Sequence, residues 1–308
     1  MELNENARID TSQVEDRRGS PGGGGLGGGG IPIPIPTGGG KGGLIITLII
    51  VVASLLLGGG FGLNALTDDG GQGTDAGLEK CEGDNPDLSR RDCRNALFVN
   101  SIQAYWQKGL PENFGRPYEM AKTVFFSRGV DTACGSADSG VGPFYCPADQ
   151  QIYIDLTFYD LLAQRFGAKG EFAQPYILAH EYGHHVQTVL GTEAQVRRAQ
   201  QRDPGNANRY SVMMELQADC YSGVWTHHAE KTTDAGGQPL FTNITDEDIA
   251  GALEAAAAVG DDAIQRKSGG RIDESKFTHG TSEQRQQWFK RGYDTGSPKQ
   301  CDTFGNAV

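Results

Sequence analysis

Residues Gly19 to Leu66 divide this chain before any other feature does. Gly19 to Gly43 is almost all glycine around a Pro-Ile alternation ("GGGGLGGGGIPIPIPTGGGKGG"). Such a composition cannot bury enough apolar surface to offset its ordering entropy, so it reads as a flexible tether. Leu44 to Leu66 then carries no charge over 23 residues, and at ~1.5 Å per residue a helix of that length reaches about 34 Å, enough to span a bilayer. A cleaved signal peptide and a buried core helix compete with that reading. The first normally opens within a short basic region, whereas this run starts after 43 residues; the second would show a polar face, and none is visible. Arg17, Arg18 and Lys41 precede the run, while Asp68, Asp69 and Asp75 follow it with no Lys or Arg before Lys80. The basic excess points inward. The expectation is a disordered cytoplasmic tail over 1–43, a single transmembrane helix over 44–66, and an extracytoplasmic domain over 67–308, periplasmic or extracellular.

Cysteine usage tests that placement independently, because disulfides persist in oxidising compartments. The six cysteines allow fifteen pairings; Cys81 with Cys93 and Cys134 with Cys146 are the simplest, leaving Cys220 with Cys301. No C-x-x-C spacing suggests a zinc knuckle. Cys220, near Asp219, could bind a metal, but a disulfide is the safer reading in an oxidising compartment. A formal charge of −12 over 308 residues argues against nucleic acid as a partner.

Beyond residue 70 the pattern is that of one domain, mainly α with a small β-sheet (α+β). Leu97, Phe98, Ile102, Tyr105 and Trp106 recur at helical spacing in a segment expected to end at Gly109 and Pro111. Lys122–Ser127 and Gln151–Asp155 read as strands, the second as an edge for an extended peptide. "TFYDLLAQRFG" looks helical up to Gly167. Further helices are expected from about Gln174 to Gly191, Asn208 to Glu230, Thr245 to Val259 with Asp248 completing a capping box, and Thr281 to Gly292.

The Gln174–Gly191 segment contains "LAHEYGHHVQ". Buried ionisable groups are costly unless something pairs or coordinates them. His180 and His184 are four residues apart, so a helix presents both imidazoles on one face, with Glu181 beside the shared centre. Two neutral His nitrogens, a carboxylate and an open position suit zinc. The H-x-x-G-x-x-H continuation fails, since position 187 is Gln and position 190 is Leu. Glu215, in "MELQAD", is then the best third ligand, and Asp219 one turn later is placed to accept the second N–H of a ligand histidine. Ala218, Ser222 and Gly223 would let that helix come close. His185 points about 100° away from His184 and reads as packing; His227 and His228 read as a solvated face or helix end.

H-E-x-x-H followed by E-x-x-A-D resembles the gluzincin arrangement, particularly the membrane-tethered group with the CAAX prenyl proteases and their bacterial heat-shock relatives. That group has a His followed six residues later by an Arg, as His279 and Arg285 are in "FTHGTSEQRQQWFKRGY"; Gly280 stands where the group has proline. The resemblance offers His279 and Arg285 as catalytic partners of the developing oxyanion, with a helix-surface ion pair as the alternative for Arg285. "VEDRRG" (Val14 to Gly19), the glycine tether, one apolar span, "YCPADQQIYIDLTFY", "HEYGHHVQ", "ELQADC" and "HGTSEQRQQWF" together are similar to the bacterial "putative neutral zinc metallopeptidase" family. That resemblance implies a zincin-like domain behind the span, one Zn2+ per chain, and a peptide or protein substrate hydrolysed with Glu181 as general base. The rival reading is a catalytically silent, zinc-stabilised adaptor at the membrane, which would be expected to lose Glu181 first.

Overall fold

The computed structural model describes residues 1–19, 77–83, 85–269 and 271–305. The transmembrane helix expected over 44–66 lies outside the described residues, and no helix among those described is long and apolar enough to cross a membrane. In chain order the strands are β1 (Glu2–Leu3), β2 (Val14–Asp16), β3 (Thr123–Phe125), β4 (Gly129–Thr132), β5 (Gly135–Asp138), β6 (Phe144–Cys146), β7 (Gln151–Ile154) and β8 (Phe241–Asn243). The helices are α1 (Arg91–Phe114), α2 (Phe158–Leu161), α3 (Ala173–Leu190), α4 (Thr192–Arg202), α5 (Ala207–His228), α6 (Asp246–Ala258), α7 (Asp261–Lys267) and α8 (Ser282–Thr295). The chain is therefore mainly helical with small sheets.

The main sheet has the order β2-β3-β7-β6, with β2, β3 and β7 parallel and β6 antiparallel to β7. β7 is thus internal, and the edge expected at Gln151–Asp155 belongs instead to β6. Residues 1–19 correct a second expectation. They are not a disordered tail: β2 completes the sheet against β3, and β1 pairs with β8. Two- and three-residue strands carry too little pattern to be read locally; they exist because partners more than a hundred residues away supply their hydrogen bonds.

Two glycines expected to end helices do not. α1 runs through Gly109 and Pro111 and stops at Gly115, whose φ of 64° is the left-handed cap. α8 passes Gly292 and ends at Gly296. Gly292 is a contact residue, since a methyl there would collide with the Cys220 carbonyl oxygen, just as one at Gly223 would collide with that of Phe289. α5 and α8 therefore touch backbone to backbone. Across the other face of α5, a Cβ on Gly183 of α3 would come within 2.9 Å of Ala218 Cα. α5 is gripped between α3 and α8, and these three helices carry most of the site.

The three disulfides are Cys81–Cys93, Cys134–Cys146 and Cys220–Cys301. The capping boxes at Thr245/Asp248 and Thr281/Gln284 are formed. α4 and α7 have no counterpart in the sequence reading; α4 buries only Val196 and Ala199, too few for a visible stripe.

Candidate metal centre

α3 presents His180, Glu181 and His184 toward α5, and the close Gly183–Ala218 approach sets how far Glu215 must reach. His180 Nε2 lies 3.2 Å from Glu215 Oε2, and His184 Nε2 lies 3.1 Å from Glu215 Oε1. The three ligand atoms all fall within 4.8 Å of one another, a group that can hold a metal ion. Bonds of about 2.05 Å to a tetrahedral zinc imply donor–donor separations of ~3.3 Å, and the two nitrogen-to-carboxylate distances are of that size.

Each imidazole is aimed by its other nitrogen. His180 Nδ1 donates to Asp219 Oδ1 at 2.8 Å, and His184 Nδ1 to Gln187 Oε1 at 2.9 Å. Both Nε2 atoms are left for the centre. Gln187 donates through Nε2 to the Met214 carbonyl at 2.7 Å and to Gln217 Oε1 at 3.1 Å. In the sequence Gln187 serves only to exclude a longer motif; its position three residues after His184, on the same face, is the signal for this role.

Arg285 is 3% exposed and donates from Nε and Nη2 to the two Asp219 oxygens at 2.8 and 2.9 Å, and from Nη1 to the Val259 carbonyl at 3.1 Å. It is not a helix-surface ion pair, and it lines the same cavity as Glu181 and His279. It holds Asp219, and through Asp219 it holds His180. Tyr176 completes the cluster, its hydroxyl donating to Asp219 Oδ1 at 2.7 Å. His279, in the loop between α7 and α8, is fixed differently. Asp261 Oδ2 accepts the backbone N–H groups of Thr278, His279 and Gly280, and Asp261 Oδ1 accepts from His279 Nδ1 at 2.9 Å.

Among the described residues, Glu181 Oε1, Glu215 Oε1 and His279 Nε2 are buried with no hydrogen-bond partner. All three residues line one cavity, whose apolar wall is Phe158, Phe166, Ile177 and Val259. Orphaned buried polar atoms cost free energy, and their convergence on one cavity is what a site for a cation and a polar substrate looks like. Burial opposes charge on His180, but the Asp219 and Glu215 carboxylates outweigh it and push the imidazole up to about 10. His184 is raised against the same burial, chiefly by Glu215. Burial also opposes ionisation of Glu215, yet the two histidines hold it well below the usual carboxylate range. Glu181 is raised by burial, against the pull of both imidazoles, and the backbone of Tyr145 in β6 hydrogen-bonds it.

His185 is a packing residue, its Nε2 donating to the Glu119 carbonyl at 2.6 Å and its ring beside Tyr145 and Tyr118. His227 and His228 fall at the end of α5, on the carbonyls of Tyr293 and Gly296. Cys220 is in a disulfide, not at a metal.

A pair of imidazoles on one helix and a carboxylate from a second form a two-histidine, one-glutamate group that can hold a metal ion, with the Glu181 carboxylate lining the same cavity. The chain belongs to the family described as "Putative neutral zinc metallopeptidase", whose model matches residues 3–304. It is 41% identical over 302 residues to the uncharacterized protein YpfJ of Escherichia coli (strain K12), covering 98% of both chains. It is 47% identical over 217 residues to the uncharacterized protein Rv2575 of Mycobacterium tuberculosis (strain ATCC 25618 / H37Rv), covering 70% of this chain and 71% of that one. No solved structure matches it.

Proposed function

We propose that this chain is a zinc-dependent peptidase, one zinc per chain, attached to a membrane through residues 44–66 with its catalytic body in an oxidising compartment. The observation that carries the reading is the buried convergence of His180 Nε2, His184 Nε2 and the Glu215 carboxylate beside a partnerless Glu181 oxygen. His180, His184 and Glu215 would hold the metal, which when bound polarises a peptide carbonyl and lowers the pKa of water toward ~7. Glu181, its pKa raised by burial, accepts the proton of the attacking water and returns it to the leaving amine nitrogen. His279, its Nδ1 held by Asp261, presents Nε2 to the cavity, where it donates to the developing oxyanion when the ring carries both protons. Arg285 is a positioning residue that acts through Asp219. The outer edge of β6, next to Glu181, gives an extended peptide backbone a strand to pair with, and the wall of Phe158, Phe166, Ile177 and Val259 favours an apolar substrate side chain next to the cleaved bond. The three disulfides support the oxidising compartment.

The test is a comparison of wild type with Glu181→Gln, measuring bound zinc and cleavage of a proteome-derived peptide library. Equal zinc content with cleavage lost, by at least ~100-fold for removal of a general base, supports the peptidase. Full zinc occupancy with no cleavage by either protein would favour a silent adaptor. Lack of bound zinc in the wild type would remove the metal reading altogether.

A further inference from the structure

The arm formed by residues 1–19 is joined to the rest of the fold through the very stretch that the sequence analysis reads as a membrane span. The body is built to receive it. β2 pairs in register with β3, Val14 with Thr123 through Asp16 with Phe125, and the Arg17 N–H continues the ladder to the Phe125 carbonyl at 2.8 Å. Upstream, Asn4 donates its N–H to the Leu240 carbonyl at 3.1 Å and its side chain to the Pro239 carbonyl at 2.8 Å. Ala7, Ile9 and Val14 are buried in the main core.

α1 supplies side chains whose partners are on the arm. Asn100, 6% exposed, accepts from the Asp10 N–H at 2.7 Å and donates to the Asp10 carbonyl at 3.0 Å. Gln103, fully buried, donates to Gln13 Oε1 at 2.8 Å. Asp92 accepts from Arg18 at 2.8 Å. Lifting the arm away would bare the edge of β3 and take from these α1 groups the partners they have on the arm, at a cost wherever a buried polar atom is left unsatisfied. The arginines that the sequence reading used as a basic flank are occupied inside the fold, Arg17 on Glu15 and Arg18 on both Asp16 and Asp92.

A single crossing by residues 44–66 would leave residue 19 and residue 77 on opposite faces of a bilayer, with about 30 Å of hydrocarbon between the arm and its sheet. Docking and a single crossing exclude each other. We infer that the arm and the catalytic body share one side of the membrane. The arrangement with the N-terminus in the cytoplasm and the body outside is replaced by one in which both lie on the same side. The docked arm lies on the sheet edge opposite β6, so it leaves the cavity open. This inference stands on the arm's contacts and not on the peptidase reading.

The experiment places a single added cysteine in the full-length protein, Glu5→Cys in one variant and Glu283→Cys in another, both exposed positions. Intact spheroplasts are treated with a membrane-impermeant maleimide before and after detergent lysis. Both cysteines labelled from the same side, whichever side that is, is the expected result. Glu5→Cys labelled only after lysis while Glu283→Cys labels in intact spheroplasts, or the reverse, overturns the inference. Docking itself is read from the Glu2→Cys/Asn243→Cys pair, which are facing residues of β1 and β8, in a chain with a protease site inserted after Pro21. After cleavage the arm stays with a monomeric body on a non-reducing denaturing gel and leaves on reduction. Failure to cross-link, or cross-linking only between two copies, would overturn docking within the chain.

Discussion

A histidine that binds a cation through Nε2 needs its other nitrogen committed elsewhere, and this chain solves that differently for each ring. His180 is held by Asp219, itself clamped by two Arg285 donors; His184 is held by Gln187, a neutral amide. Removing the amide should therefore cost metal affinity without collapsing the site. Gln187→Ala is expected to weaken zinc about 10–100-fold in a chelator competition, the usual range for loss of a group that orients a metal ligand, while Glu181→Gln binds as wild type does. An unchanged affinity for Gln187→Ala would show that packing alone aims His184. The convergence of His180, His184 and Glu215 was legible in the sequence because i and i+4 share a helix face whatever the tertiary fold, and Glu215 followed from its motif. The partner of Arg285 was not, since it depends on how α8 crosses α5, and no periodicity encodes a crossing.

That crossing is where an element's sequence misleads most. Gly292 reads as a stop, yet it lies inside α8 because α5 leaves no room for a side chain there. Gly292→Ala should push the helices apart, tilting Arg285 away from Asp219. Overpacking against backbone is expected to cost about 3 kcal/mol, which for a body of this size lowers Tm by roughly 6–12 °C in a thermal melt. A substitution tolerated within a degree would mean that the contact is looser than drawn. The arm on α1 gives a second prediction at this scale. Burial alone would raise the Asp92 carboxyl, but hydrogen bonds from Arg90 and Arg18 win and lower it from 3.8 to about 2. A folded-state pKa below the unfolded one stabilises fully above pH ~4 and loses that stabilisation as pH falls through ~2, here about 2 kcal/mol. Other carboxylates titrate in the same window, so the readout is a difference. Denaturant unfolding at pH 5 and pH 2.5 should show a smaller drop in Asp92→Asn than in wild type, and equal drops would contradict the assignment.

Taken as a whole, the molecule braces its candidate metal centre from the far end of the chain. Cys220, on α5, is joined to Cys301 across 81 residues of sequence. The Cys301 carbonyl accepts from Gln217 Nε2 at 2.9 Å, Gln217 Oε1 accepts from Gln187, and Gln187 holds His184. The pairing of these two cysteines was legible once the two short-range pairs were assigned; the relay it anchors was not, because each link joins residues remote in sequence. Replacing both cysteines by alanine releases a loop whose closure is worth roughly 4–5 kcal/mol in the chain-entropy account, and a thermal melt should fall accordingly. Loop entropy alone predicts no change in metal binding by the molecules that remain folded. The relay predicts one: with residue 301 no longer tied to α5, Gln217 and Gln187 lose their fixed register, and zinc affinity measured well below the new Tm should drop in the same direction as in Gln187→Ala. Combining the two sets of substitutions separates the accounts, since groups acting through one chain of contacts give less than the sum of their separate losses. A double variant whose affinity loss equals that sum would mean that the disulfide and the amide act on the metal independently.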